Sequence, residues 1–98
     1  MMDIQLKVND NRGSFFIEKD NRQIAELDFE IKAGVLNAYH TGVRKELEGQ
    51  GIAAQLVNKM IDYARSNNYQ VIPSCPYIEM KFKRNPSEVE DIWYHSTK

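Results

Sequence analysis

The residues of this 98-residue chain that could do chemistry are few and lie between His40 and Tyr77. Gly49 and Gly51 flank Gln50 in the run Glu48 to Ala53 (EGQGIA), directly before an apolar stripe at helical spacing. Glycine lets the backbone come close to a ligand. The first turn of a helix also presents amides without intrahelical acceptors and carries a partial positive charge, so a phosphate or pyrophosphate fits there. The same two glycines equally suit a sharp entry into a helix with no ligand at all. His40, on the extended segment upstream, is of a residue type that suits a general base, or simply packs. Cys75 is the only cysteine, which excludes an intrachain disulfide and a cysteine cluster for zinc. It reads either as a nucleophile or as a small buried hydrophobe. No histidine stands beside it in the sequence, and at an apolar strand end its thiol is expected to be raised rather than activated.

Known glycine motifs narrow the anion reading. Residues 49–54 satisfy GxGxxA literally, but in the dinucleotide fold that motif follows the first strand of the domain, and here antiparallel strands come first. Where that fold places a ribose-binding carboxylate, about 20 residues on, stand Ser74 and Cys75. No Gly-Lys-Ser or Gly-Lys-Thr follows, which excludes the nucleoside triphosphate loop.

The elements that must position these residues follow from periodicity. Ile4, Leu6 and Val8 alternate with polar residues as a half-buried strand does, and NDNRG after them is turn chemistry. Ser14 to Lys19 reads as a second strand, and Ala25, Leu27, Phe29 and Ile31 mark a third. Val35 to Val43 is a fourth, interior strand, with Leu36, Ala38 and His40 on one face and Val35, Asn37, Tyr39 and Thr41 on the other. Ile52, Leu56 and Met60, widened by Ala53, Val57, Ile61 and Ala64, predict a helix from about Gly51 to Ser66 that stops at Asn67-Asn68. Tyr69 to Ser74 reads as a fifth strand parallel to the fourth. Ile78, Met80 and Phe82 alternate with charged residues and favour another strand, although Ile78 and Phe82 also lie one helical turn apart. Ser87 with Glu90 matches a capping box and predicts a short terminal helix carrying Val89, Ile92 and Trp93. The expected fold class is α+β with a mixed sheet: an antiparallel meander, a strand-helix-strand crossover and a C-terminal helical segment, forming one domain over residues 1–98.

Composition limits the partners. Thirteen Lys and Arg against fourteen Asp and Glu leave a net charge of −1, which argues against a nucleic-acid or anionic-membrane partner. The longest aliphatic or aromatic run is three residues, far short of the roughly 20 that a membrane helix needs. Asp3, Gln5 and Asn9 stand where a signal peptide would be apolar, so cytoplasmic residence is the expectation.

HTGVRKELEGQGIAAQLVNKMIDYAR resembles the acetyl-coenzyme A segment of the GNAT N-acetyltransferase superfamily, in which a strand leads through a [RQ]xxGx[GA] loop into a helix. With SCPYIEMKFKRNP included, the chain is similar to the short stand-alone branch of that superfamily over Phe15 to Pro86. The resemblance implies acetyl-coenzyme A as co-substrate, no metal, and transfer to an amine, of a small molecule or a protein, that the sequence does not identify. It carries Gly49, Gln50, Gly51, Ile52 and Ala53 over as pyrophosphate-binding positions. Glu48 departs from the motif, whose first position is Arg or Gln, and weaker coenzyme binding is expected from it. The resemblance further implies pantetheine between the fourth and fifth strands, where Pro73 cannot donate a ladder hydrogen bond. An amide near Gly42 and Val43 would polarise the thioester carbonyl. His40 then becomes the candidate base, Cys75 a nucleophile or a thiol lining the acetyl site, and Tyr77 the proton donor to the leaving thiolate. Larger relatives carry two helices where Asn9 to Gly13 is only a turn, so an open acceptor side is implied. An acetyl-coenzyme A binding module with little or no turnover is the alternative.

Overall fold

The computed structural model describes residues 3–95. Strands β1 (Gln5–Asn9), β2 (Arg12–Lys19), β3 (Arg22–Lys32) and β4 (Val35–Val43) form an antiparallel meander. A 3-10 turn at Lys45–Leu47 leads to helix α1 (Ile52–Ser66), and β5 (Gln70–Pro73) then pairs parallel to β4 at the end of the sheet. Helices α2 (Pro76–Arg84) and α3 (Pro86–Val89) follow. The meander owes its tight connections to residues that accept left-handed backbone. Asp20-Asn21 and Ala33-Gly34 all have positive φ, the turn whose twist matches that of paired strands.

One face of the sheet holds Phe15, Ile17, Ala25, Leu27, Phe29, Leu36, Ala38 and Val71, all buried. Leu56, Val57, Met60 and Ala64 of α1 cover it, and each large side chain so buried contributes about 1.5–3 kcal/mol. Ile78 and Phe82 of α2 and Val89 and Ile92 belong to the same apolar cluster. The opposite face is polar and carries Ser14, Glu26, Asp28, Glu30, Asn37, His40 and Gly42, none of them buried. Its one buried member is Phe16, with the Lys7 ammonium 5.2 Å from the ring centre.

Several expectations are corrected. Residues 76–84 form a helix, because Pro76 occupies its first position and Ile78 and Phe82, one turn apart, are both buried while Met80 is exposed. The alternation there was coincidental. The capping box is not used: Asn85 precedes α3, Pro86 begins it, and Ile92 and Trp93 lie beyond it. They instead strap the outer edge of β5, with the Val71 amide donating to the Ile92 carbonyl (2.6 Å) and the Tyr94 amide to the Val71 carbonyl (2.9 Å). Trp93 meets Phe82 edge-on at 5.3 Å. Arg65 forks onto Asp91 at 2.8 and 2.9 Å and fixes this strap to the end of α1.

The third correction concerns β4. Phe29 pairs with Ala38 but Asp28 pairs with His40, so Tyr39 is an extra residue in the ladder. A bulge of this kind reverses the alternation beyond it. Thr41 and Val43 therefore align with the core-facing Leu27 and Ala25, and His40 moves to the polar face, away from Leu36 and Ala38.

Candidate functional site

Parallel pairing of β4 with β5 runs from Val35↔Gln70 to Ala38↔Pro73 and stops there. Proline has no amide with which to continue the ladder. The Cys75 amide closes the junction on the Ala38 carbonyl (3.0 Å), and β4 runs on to Val43 without β5 beside it. A cleft of about 450 Å³ opens at this place. Thr41, Gly42 and Val43 of β4 form one wall; Leu47, Glu48, Gly49, Gly51, Ile52 and Ala53 form another; Tyr77, in the first turn of α2, completes it. The structure thus gathers Gly42, Val43, Gly49, Gly51, Ile52, Ala53 and Tyr77 around one space. Gln50 and His40 are exposed and Cys75 is buried, and none of the three belongs to that lining.

The loop is held open by conformation. Gly49 and Gly51 have φ of +84° and +79°, and the space that a Cβ would enter is empty at both. Gly51 precedes α1 in left-handed backbone and offers no side chain as a cap. The Gln55 amide reaches the Gly51 carbonyl (3.1 Å), which leaves the amides of Ile52, Ala53 and Ala54 without intrahelical acceptors. The first turn holds no acidic residue, so this end of α1 accepts an anion. Glu48 is the exception in the wall. The nearby Arg44 guanidinium is engaged by Glu46 at 3.0 Å; the Glu46 carboxyl lies below its usual range through its own backbone amide and then through Arg44.

Cys75 ends the connection from β5 and caps α2 rather than lying on a strand. Its side chain is 6% exposed, and Sγ lies 3.4 Å from Thr41 Oγ1. Burial pushes the thiol up, but the Thr41 hydroxyl and the amides of Ile78, Tyr77 and Thr41 outweigh it, and the thiol lies below its ordinary value. None of the helix amides makes a full cap hydrogen bond to Sγ; they act as dipoles directed at a thiolate. The expectation of a raised thiol is therefore overturned. An apolar neighbourhood does not raise a thiol whose remaining contacts are donors at a helix start.

His40 has a partner that sequence reasoning missed. Its Nε2 lies 2.9 Å from Glu26 Oε2 on the polar face. Plain alternation from the Ala33-Gly34 turn would pair Glu26 with Thr41, and only the bulge at Tyr39 brings Glu26 opposite Gly42.

A mixed sheet that loses its parallel pairing beside a glycine-entered helix defines the GNAT class of fold, and solved structures agree. A GCN5-like protein of Staphylococcus aureus, determined by NMR, is 28% identical to this chain, with 95% of this chain and 90% of that one covered at a TM-score of 0.70. A ribosomal-protein-alanine N-acetyltransferase of Brucella melitensis shares the fold at 15% identity and TM-score 0.61, over 92% of this chain and 67% of that one. So does an aminoglycoside acetyltransferase from a soil metagenome, at 11% identity and TM-score 0.63, over 92% of this chain and 64% of that one. The profile of the GCN5-related N-acetyltransferase family matches residues 14–92. The chain belongs to that family, and it is an N-acetyltransferase by class.

Proposed function

We propose that the protein transfers the acetyl group of acetyl-coenzyme A to a primary amine by direct attack, and that the β4–α1 cleft is where this happens. The observation that carries the reading is the meeting of the end of β4, left without β5 on one side, with the uncapped start of α1 in one cleft of about 450 Å³. Both halves fit the co-substrate: exposed amides at Gly49 to Ala53 for its pyrophosphate, and free strand backbone for its pantetheine amides. When bound, acetyl-coenzyme A supplies an activated thioester, and no metal is required for its transfer.

Around that thioester the chain's own groups divide the work. An amide of Gly42 or Val43 polarises the carbonyl, as an oxyanion-hole donor does. His40 takes the proton of the amine, and Tyr77 returns one to the departing sulfur. Cys75 is outside the cleft lining and touches its wall through Thr41. It is the candidate for a covalent route as well, since its thiol lies below the ordinary value. Direct attack is favoured because its side-chain partner is Thr41, a hydroxyl and not a base. The acceptor is an amine of a small molecule or a protein, reached from an open side, because β1 and β2 are joined by a tight turn.

Release of free coenzyme A in the presence of short peptides with free α-amines, basic peptides and polyamines tests the function. Amine-dependent release supports it, and its absence across all three classes refutes it. A binding module with little turnover is the second reading, favoured by the Glu48 carboxylate in the cleft wall.

A further inference from the structure

We infer that Glu26 is a positioning residue for acetyl transfer: with His40 it forms a carboxylate–imidazole pair on the polar face of the sheet, across Gly42 from the cleft, and the pair receives the proton of the incoming amine. This rests on the acetyl-transfer reading above.

Three observations converge on the pair. The Glu26 carboxylate is held at both oxygens, Oε1 by Gln23 Nε2 at 3.2 Å and Oε2 by His40 Nε2 at 2.9 Å. A residue that merely solvates a strand face does not need both. Second, the pair occupies the space beside Gly42, so a side chain there would have to push it aside. A Cβ there would run into Glu26 Oε2 and come within 3.2 Å of His40 Nε2. The pair closes over the backbone of β4 at the residue that also lines the cleft. Third, the register shift at Tyr39 is what places Glu26 opposite Gly42 and turns His40 onto the same face.

The chemistry follows from which atom faces which. An ionised carboxylate only accepts, so it selects the tautomer with the proton on Nε2, and in the neutral ring Nδ1 is then the nitrogen that can take a proton. A base whose own orientation is fixed by a third group is a recurrent catalytic arrangement. His40 and Glu26 are 48% and 25% exposed at their side chains, so an amine can reach them from solvent. Asp28, opposite His40 in the ladder, adds negative charge to that approach. In the reaction Nδ1 removes one proton from the ammonium group. The nitrogen lone pair then forms the N–C bond to the carbonyl carbon. The C–S bond breaks with its electron pair on sulfur, Tyr77 protonates the thiolate, and the second proton lost by nitrogen restores Tyr77. The imidazolium returns its proton to water.

The test combines turnover with a measurement that needs none. Long-range nitrogen–proton correlation spectra of the His40 ring, without coenzyme, should show one tautomer protonated at Nε2 in the wild type and a mixture in Glu26→Ala. Glu26→Gln, whose amide oxygen still accepts, should keep the single tautomer. In amine-dependent coenzyme A release, Glu26→Ala should lower kcat by at least about tenfold, with the KM for acetyl-coenzyme A unchanged within about twofold. Glu26→Gln should recover part of that loss. The double variant Glu26→Ala/His40→Gln should be no slower than His40→Gln alone, because the pair acts as one unit. Wild-type kcat in Glu26→Ala, multiplicative losses in the double variant, or an unchanged ring spectrum would overturn the inference. If Glu26→Ala does not fold, the gap between Glu26→Gln and wild type decides on the same terms. Should the wild type release no coenzyme A with any amine, the acetyl-transfer reading falls and the base role falls with it. A single His40 tautomer in that case shows that the pair exists but serves another purpose.

Discussion

Thr41 Oγ1 lies 3.4 Å from Cys75 Sγ, joining β4 to the start of α2 at the point where β4 and β5 part. The contact helps hold the Cys75 thiol below its ordinary value against the opposing effect of burial. Thr41→Val should therefore raise the thiol pKa, read from thiolate absorbance in the ultraviolet. The sign of the stability effect follows. A group with a depressed folded pKa binds fewer protons folded than unfolded, so its contribution is lost as pH falls through the folded pKa and is complete above the unfolded one. Urea denaturation should show the stability of wild type relative to Cys75→Ala rising with pH up to about 8.5, the ordinary thiol value. Thr41→Val should flatten that rise; an unchanged slope would mean that the hydroxyl does not act on the thiol.

Glu48 stands in the wall of the cleft, next to Gly49. One exposed like-charge contact at about 4 Å is worth roughly 1 kcal/mol in water. Calorimetry should find acetyl-coenzyme A bound about fivefold more tightly by Glu48→Arg. The gain should shrink at high salt because exposed charges are screened. Equal or weaker affinity at low salt would mean that the carboxylate points away from the phosphates.

Gly51→Ala meets open space, so its effect comes from backbone alone. Left-handed φ costs a non-glycine residue roughly 1–2 kcal/mol. The variant should fold with a stability loss of that size, and its Kd for acetyl-coenzyme A should rise by about tenfold or more as the amides at the start of α1 shift. Undiminished affinity would reduce Gly51 to a residue that merely lets the helix begin.

How far these residues could be read from the sequence depended on what decided each one. Strands β2 to β5 and α1 were legible because local pattern fixed them: Leu36 and Ala38 in β4, and Leu56 and Met60 in α1, lie buried where alternation and helical spacing place them. The alternation of Leu6 and Val8 also located β1, but the half-burial expected from it is corrected, since β1 is the edge strand and both side chains are exposed. Residues 76–84 were not, since Ile78, Met80 and Phe82 satisfy strand alternation while two of them also satisfy a helical turn. Pro76 and tertiary burial decided between the two. The glycine loop was legible because φ above zero is a local demand. The face occupied by His40 was hidden by one extra ladder residue, Tyr39, which leaves no mark in an alternation pattern. Glu26 was hidden for the same reason. The thiol of Cys75 was misjudged because its setting depends on Thr41, distant in sequence, and on a helix start where a strand was expected.

The central claim is that acetyl-coenzyme A occupies the cleft between the free end of β4 and the start of α1. An amide-resolved NMR titration with acetyl-coenzyme A tests it most directly. The account predicts saturable shifts concentrated at Gly49, Gly51, Ile52 and Ala53, from the pyrophosphate, and at Gly42 and Val43, from the thioester. Tyr77 should shift as well, and the β1–β2 turn should not. Shifts confined to other surfaces, or none at saturating coenzyme, would contradict it.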